Sequence, residues 1–254
     1  MVQREWESGS YESIIQKYYD AIWIYGDPRV YDPIHEYRFS SQITAKAHYT
    51  GYLGRLIPGA DSAANLFDAL PLQTGERILC MVGGGQDGEL VARTFLQTAL
   101  PENATGILVT GPYMPADVRR SVQNEIADKS QFQVLPFVTE PERLLGHADR
   151  VIAMGGYNTV CELLSSGKPA LVVPRVKPRR EQLIRAERLA QFGALDYMHP
   201  DAVTPAAFAS WIGGTRASEL RERREIDLDG LKRLPGLLQH VLESDRADPA
   251  TLIH

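Results

Sequence analysis

Between Val151 and Gln182 the chain reads VIAMGGYNTVCELLSSGKPALVVPRVKPRREQ, and this stretch concentrates residue types that can bind a charged, hydroxylated ligand. Gly155 and Gly156 follow an apolar strand and precede a helix whose first turn carries Asn158, Thr159 and Glu162. A glycine turn leading into a helix N-terminus presents free N–H groups at the positive end of the helix dipole, which suits an anion. Glu162, one turn in, can accept hydrogen bonds from hydroxyls of the same ligand. A second apolar strand, Ala170 to Val173, ends at Pro174 and releases a basic loop with Arg175, Lys177, Arg179 and Arg180. Guanidinium groups favour bidentate phosphate or carboxylate partners. Glu181 and Gln182, at the next helix start, add polar groups for a hydroxyl or a sugar. Plainer readings stand beside these. Thr159-Val160-Cys161-Glu162 also reads as a capping box, and a basic loop is also what a solvated surface loop looks like.

These residues are positioned by a regular alternation that begins at Arg77. Strands are expected at 78–82, 106–110, 132–138, 151–154, 170–173 and 194–198. Helices are expected at 87–100, 116–127, 140–147, 159–166, 180–192 and 204–211. Strands this apolar, alternating with helices, imply a parallel sheet buried on both faces, joined by right-handed crossovers. Ligands then bind beyond the carboxyl ends of the strands, and every candidate stretch follows such an end. Gly83-Gly84-Gly85-Gln86-Asp87-Gly88 follows the first strand, where bare backbone can approach a phosphate or simply turn tightly. It matches neither GxGxxG with a downstream acid nor a Walker A loop. Val134 to Val138 offers a strand edge whose main chain could bond a planar base, or a strand end with a packed Phe137. Arg55, after the segment His48 to Gly54, is either a phosphate partner or a solvated linker residue.

Toward the N-terminus, Ser10 to Asp20 and Ser40 to Ala47 read as helices and Ala21 to Tyr25 as a short buried strand. Residues 213–230 are polar, and Leu231 to Leu242 is an amphipathic helix that Pro235 kinks or delays. A net charge of −5 argues against general nucleic-acid affinity. Residues 1–20 hold no apolar leader core, and no run reaches the ~20 apolar residues of a spanning helix. Cys80 and Cys161 read as reduced, buried thiols. The six histidines show no metal-ligand spacing, no GxSxG elbow is present, and no carboxylate pair stands out, so no catalytic residue is assigned.

At Gly83 to Gly85, and above all at MGGYNTVCELLSSGKPALVVPRVKPRREQ, the chain resembles the C-terminal, donor-binding half of a GT-B glycosyltransferase of glycosyltransferase family 28, over roughly residues 50–212. The resemblance implies a Rossmann-like, doubly wound α/β domain that holds a UDP-sugar, with no metal or other cofactor. By position, Arg55 falls at a diphosphate-binding arginine. Gly84 and Gly85, with Gln86, fall at the turn facing the phosphates. Val138 falls where main chain reads uracil, and Gly156, Tyr157, Asn158 and Thr159 at the helix entry near phosphates and sugar. Glu162 falls at the acid that binds the ribose hydroxyls, and Glu181 and Gln182 at a pair contacting the donor sugar. Two departures matter: Gly85 stands where the family usually has Ser, and Glu181-Gln182 where it has two Gln.

The implied activity is inverting hexosyl transfer from a UDP-sugar to a hydroxyl acceptor. Residues 1–55 are expected to be the tail of an acceptor domain plus the interdomain crossing, residues 56–212 the nucleotide-sugar domain, and residues 213–254 a polar segment and helix. The acceptor half would come from elsewhere, as a missing domain or a membrane-bound subunit. The expected location is cytoplasmic, peripheral at the inner membrane face. Three alternatives stand: the donor-binding subunit of a split transferase, a nucleotide-sugar-binding remnant without chemistry, and a related GT-B epimerase.

Overall fold

A computed structural model describes residues 11–55, 57, 74–214 and 225–247. The first ten residues, the last seven and residues 215–224 of the polar segment lie outside the described residues. The chain divides into two compact units, one of residues 1–54 and 226–254, the other of residues 55–225.

In the first unit, helix α1 (Tyr11–Tyr18) precedes strand β1 (Ile22–Tyr25), helices α2 (Pro33–Glu36) and α3 (Ser41–Lys46), and strand β2 (Ala47–Gly51). The two strands pair in parallel, Ile22 opposite Ala47 and Ile24 opposite Tyr49. A parallel pair cannot be closed by a tight hairpin and needs a crossover, which α2 and α3 supply. Each starts on a side-chain cap: Asp32 accepts from the His35 N–H, with Pro33 in the first turn, and Ser40 accepts from the Ile43 N–H. Helix α10 (Gly230–Ala247) belongs to this unit. It starts at Gly230 and runs on through Pro235. Arg233 ties it to the end of β2, donating from Nη1 to the Thr50 carbonyl at 2.7 Å and to the Asp227 carboxylate at 2.7 and 2.8 Å.

The second unit is a six-stranded parallel sheet. In chain order its elements are β3 (Arg77–Met81), α4 (Glu89–Leu96), β4 (Thr105–Val109), α5 (Ala116–Glu125), β5 (Phe132–Leu135), α6 (Pro141–His147), β6 (Arg150–Met154), α7 (Tyr157–Ser166), β7 (Ala170–Val173), α8 (Glu181–Gln191), β8 (Asp196–Tyr197), a 3-10 turn (Pro200–Ala202) and α9 (Pro205–Gly213). The strand order β5-β4-β3-β6-β7-β8 is that of the doubly wound dinucleotide fold. From β3 the chain winds outward one way to β5, returns, and winds the other way from β6 to β8. Ile78, Cys80, Leu108, Ile152 and Leu171 fill the sheet interior, and Phe95 meets Phe132 edge-on at 5.6 Å. Each fully buried side chain of this size contributes about 1.5–3 kcal/mol.

Three local expectations are corrected. Strand β5 ends at Leu135, not Val138. Pro136 has no N–H to extend the ladder, and its carbonyl accepts from the Thr110 hydroxyl at 3.1 Å. Helix α7 opens at Tyr157 rather than Thr159, with Gly156 as its N-cap and no side-chain capping bond. Thr159 and Glu162 therefore lie inside the helix, and the capping box does not form. Phe137 is not packed: it is 56% exposed.

Neither cysteine is in a disulfide; both are buried, and burial pushes the Cys80 thiol far up. Among the described residues no helix is long and apolar enough to cross a membrane, and no group of three His, Cys, Asp or Glu could hold a metal ion.

Candidate functional site

The outward windings part between β3 and β6, and a crevice opens beyond the carboxyl ends of these strands. A cavity of about 200 Å³ lies there, lined by residues 82–87, Tyr113, Met154, Gly156, Arg175 and Gln182. The loop after β3 is folded against the loop after β4. Gly84 accepts from the Tyr113 N–H at 2.8 Å, and Gly85 donates to the Val82 carbonyl at 3.0 Å. Gly85 has φ +89°, and a Cβ there would stand 2.2 Å from the Thr110 carbonyl oxygen. The hydroxyl that the family resemblance would place here has no room on this backbone.

Facing this loop is the start of α7. With Gly156 as an N-cap that has no side chain, the first turn of α7 opens toward the crevice without an internal carboxylate or hydroxyl cap. Asn158 is exposed, and Tyr157 and Thr159 are half-buried. Glu162 is 8% exposed and makes no hydrogen bond to another described residue. Burial first, and the Glu142 carboxylate second, push its carboxyl up from 4.5 to about 6, with Arg55 pulling the other way. Arg55 is itself exposed, and its backbone N–H donates to the Ser165 hydroxyl of α7 at 3.1 Å.

Of the sequence candidates, Gly84, Gly85, Gln86, Gly156 and Gln182 line the cavity together. Tyr157, Asn158, Thr159 and Glu162 share the adjoining helix α7, and Glu181 opens α8. Val138 lies apart from the cavity lining, half-buried in the loop after β5. Gln182 is engaged within the crevice: its Oε1 accepts from the Arg175 N–H at 3.0 Å. The Arg175 guanidinium reaches across to Asp87 at 3.2 Å, an exposed pair spanning the loops after β3 and β7.

Two site residues escaped the sequence reading. Tyr113, 74% exposed, borders the glycine loop through a contact between distant segments, and no local pattern announces it. Arg185 lies on the buried face of α8 with Leu183, Ala186 and Leu189. It is 7% exposed, donates from Nη2 to the Gly155 carbonyl at 2.9 Å, and sits 5.8 Å over the Tyr157 ring. A charge on the apolar stripe of a 3.6-residue period was the available signal.

Residues 78–219, more than half of the chain, match the glycosyltransferase family 28 C-terminal domain. The chain belongs to this family. It is 31% identical over 173 residues to the UDP-N-acetylglucosamine--N-acetylmuramyl-(pentapeptide) pyrophosphoryl-undecaprenol N-acetylglucosamine transferase of Glaesserella parasuis, a match covering 64% of this chain and 47% of that one. The enzyme of the same name from Mycobacterium tuberculosis is 28% identical over 141 residues, covering 54% of this chain and 33% of that one. The chain thus spans about half the length, or less, of these curated relatives. Among solved structures, Acinetobacter baumannii MurG superposes with a TM-score of 0.58 at 17% identity, over 91% of this chain and 76% of that one. Anabaena Alr3699/HepE in complex with UDP-glucose gives 0.58 at 12% identity, over 98% and 69%. This family 28 domain therefore has the GT-B-type, Rossmann-like architecture expected of it.

Proposed function

We propose that this chain holds the donor in hexosyl transfer from a UDP-sugar to a hydroxyl acceptor. The observation that carries the reading is Glu162. It is a buried carboxylate without a hydrogen-bonded partner among the described residues, set on the helix whose uncapped N-terminus opens on the glycine crevice. A ribose supplies hydroxyl donors to such a carboxylate, and the diphosphate next to it suits the helix entry at Gly156, Tyr157, Asn158 and Thr159. Gly84, Gly85 and Gln86 face the phosphates from the opposite loop, with Arg55 as a further cation. Val138 offers main chain to the base, and Glu181 and Gln182 meet the sugar. UDP-N-acetylglucosamine, part of the names of the relatives, is the donor to try first.

In the reaction the acceptor oxygen bonds to the anomeric carbon as the bond from that carbon to the diphosphate oxygen breaks. UDP leaves with the electron pair, and helix-end dipoles and guanidinium groups stabilise its charge. The acceptor proton goes to a base that we assign to no residue of this chain. No metal or other cofactor takes part in this scheme. Residues 1–55 act as the tail of an acceptor domain and its crossing, residues 56–212 as the donor domain and residues 213–254 as a C-terminal extension. The chain works in the cytoplasm, peripherally at the membrane's inner face, without nucleic acid.

A second reading, a split transferase completed by a separate acceptor subunit, is favoured by the first unit. Its Tyr11, Ile14, Tyr18, Tyr19 and Tyr25 are all exposed, an apolar surface of the kind that marks an interaction site. Calorimetric titration with UDP and UDP-N-acetylglucosamine tests the donor reading common to both. Micromolar binding that Glu162→Ala weakens at least roughly tenfold supports it. A folded chain that binds neither ligand at millimolar concentration overturns it.

A further inference from the structure

Arg185 is more than nine-tenths buried, yet no carboxylate among the described residues pairs with it. Its Nε is buried with no hydrogen-bond partner, and the bond from its Nη2 goes to a neutral carbonyl, that of Gly155. Removing a full charge from water without a counter-charge is unfavourable. Its location raises that cost. Gly155 immediately precedes the N-cap of α7, and Tyr157, whose ring lies under the guanidinium, is the first residue of that helix. A cation is thus packed behind the positive end of a helix dipole, where like charges repel. The arrangement becomes favourable once an anion occupies the mouth of the helix, because helix end and guanidinium then act on it together through a low-dielectric layer.

We propose that Arg185 is a positioning residue for the donor diphosphate: it fixes the Gly155-Gly156-Tyr157 turn and adds a buried positive charge behind it, without touching the ligand. The inference rests on the reading of the α7 entry as the diphosphate site. Gln182, one turn earlier on the same helix, reaches the same turn, its Oε1 lying 3.4 Å from where a Gly155 Cβ would be. One face of α8 therefore presents a crevice-lining amide and, behind it, a buried cation. The exposed arginines nearby are screened by solvent and salt; Arg185 is not.

The test is calorimetric titration of the full chain at pH 8 with UDP, uridine and inorganic pyrophosphate, comparing wild type, Arg185→Met and Arg185→Lys. Arg185→Met removes the charge and keeps an apolar body of similar reach; Arg185→Lys keeps the charge. Far-UV circular dichroism and the melting temperature identify any variant that has lost its fold. The expected result is a loss of roughly 10–100-fold in UDP affinity for Arg185→Met. Uridine affinity should stay within about threefold, and Arg185→Lys should recover most of the UDP loss. A folded Arg185→Met that binds UDP like wild type overturns the proposal and leaves the donor site standing. If Arg185→Lys loses as much as Arg185→Met, only the geometry of the turn matters, and the charge role is overturned. If wild type binds pyrophosphate but shows no preference for UDP, and Arg185→Met loses the pyrophosphate, the nucleotide reading falls and the anion role of Arg185 stands. If wild type binds neither, both fall. If Arg185→Met does not fold, Arg185→Lys decides alone: retained UDP affinity upholds the charge, and its loss overturns it.

Discussion

Glu162 carries both a cost and a function in its burial. A carboxyl held near 6 in the folded chain, against 4.5 ordinarily, binds its proton more tightly folded than unfolded. Its contribution therefore favours the fold at acid pH and is lost as pH rises from about 4.5 through about 6, a change of about 2 kcal/mol. Glu162→Gln should match wild-type stability near pH 4 and exceed it by up to that amount at pH 7.5, as read by urea denaturation at the two pH values. The ligand follows the opposite sense. Ribose hydroxyls donate to the ionised carboxylate, so affinity for UDP-N-acetylglucosamine should fall as pH drops below about 6. That limb should be absent in Glu162→Gln. The nucleotide sugar is the right probe because its diphosphate is a diester, whereas the terminal phosphate of UDP itself titrates near pH 6. An affinity that is flat between pH 5 and 8 in wild type would remove Glu162 from the ribose.

The loop after β3 and the helix after β6 are what turn six strands into a site. Gly85 and Gly83 both have positive φ, but only Gly85 lacks space, with the Thr110 carbonyl 2.2 Å from its missing Cβ against nothing within 4 Å at Gly83. Gly85→Ala should cost about 2–4 kcal/mol, because the backbone of two loops must move apart, and Gly83→Ala about 1 kcal/mol of left-handed strain alone. Differential scanning calorimetry separates them, and equal losses would mean that the loops are not locked together. Most of this architecture was readable from residue order, since apolar strands such as Val151 to Met154 and Ala170 to Val173 must be buried on both faces and so dictate parallel winding. Caps and ends were harder to read. Thr159 and Glu162 have capping-box spacing, but Gly156 can enter the helix two residues sooner, so backbone freedom beat side-chain pattern. Pro136 could have announced the end of β5. The Asp87–Arg175 pair and the seat of Arg185 over Tyr157 depend on contacts between separate segments, which spacing along the chain does not encode.

At the scale of the chain, every proposed donor contact falls within residues 55–225, the unit with its own sheet and core. That segment expressed alone should bind UDP-N-acetylglucosamine within about threefold of the full chain by calorimetry, the range left by small rearrangements at the cut ends. A segment that folds but loses binding would show that the first unit supplies part of the donor site. The exposed tyrosines of that first unit belong to a different question, the acceptor partner, and Tyr18→Ser with Tyr19→Ser should leave donor affinity unchanged. The first unit is also built from both sides of the second: β2 is held by Arg233 of α10, about 180 residues further along the chain. A ribosome adding roughly 5–20 residues per second makes Arg233 on the order of 10–40 s after Thr50. During that interval β1 and β2 emerge without the helix that fastens them, while the whole six-stranded unit has time to fold. Synthesis thus imposes an order of assembly in which the donor unit can fold first while β1 and β2 wait for α10, a period in which a chaperone or a partner chain would find them uncovered.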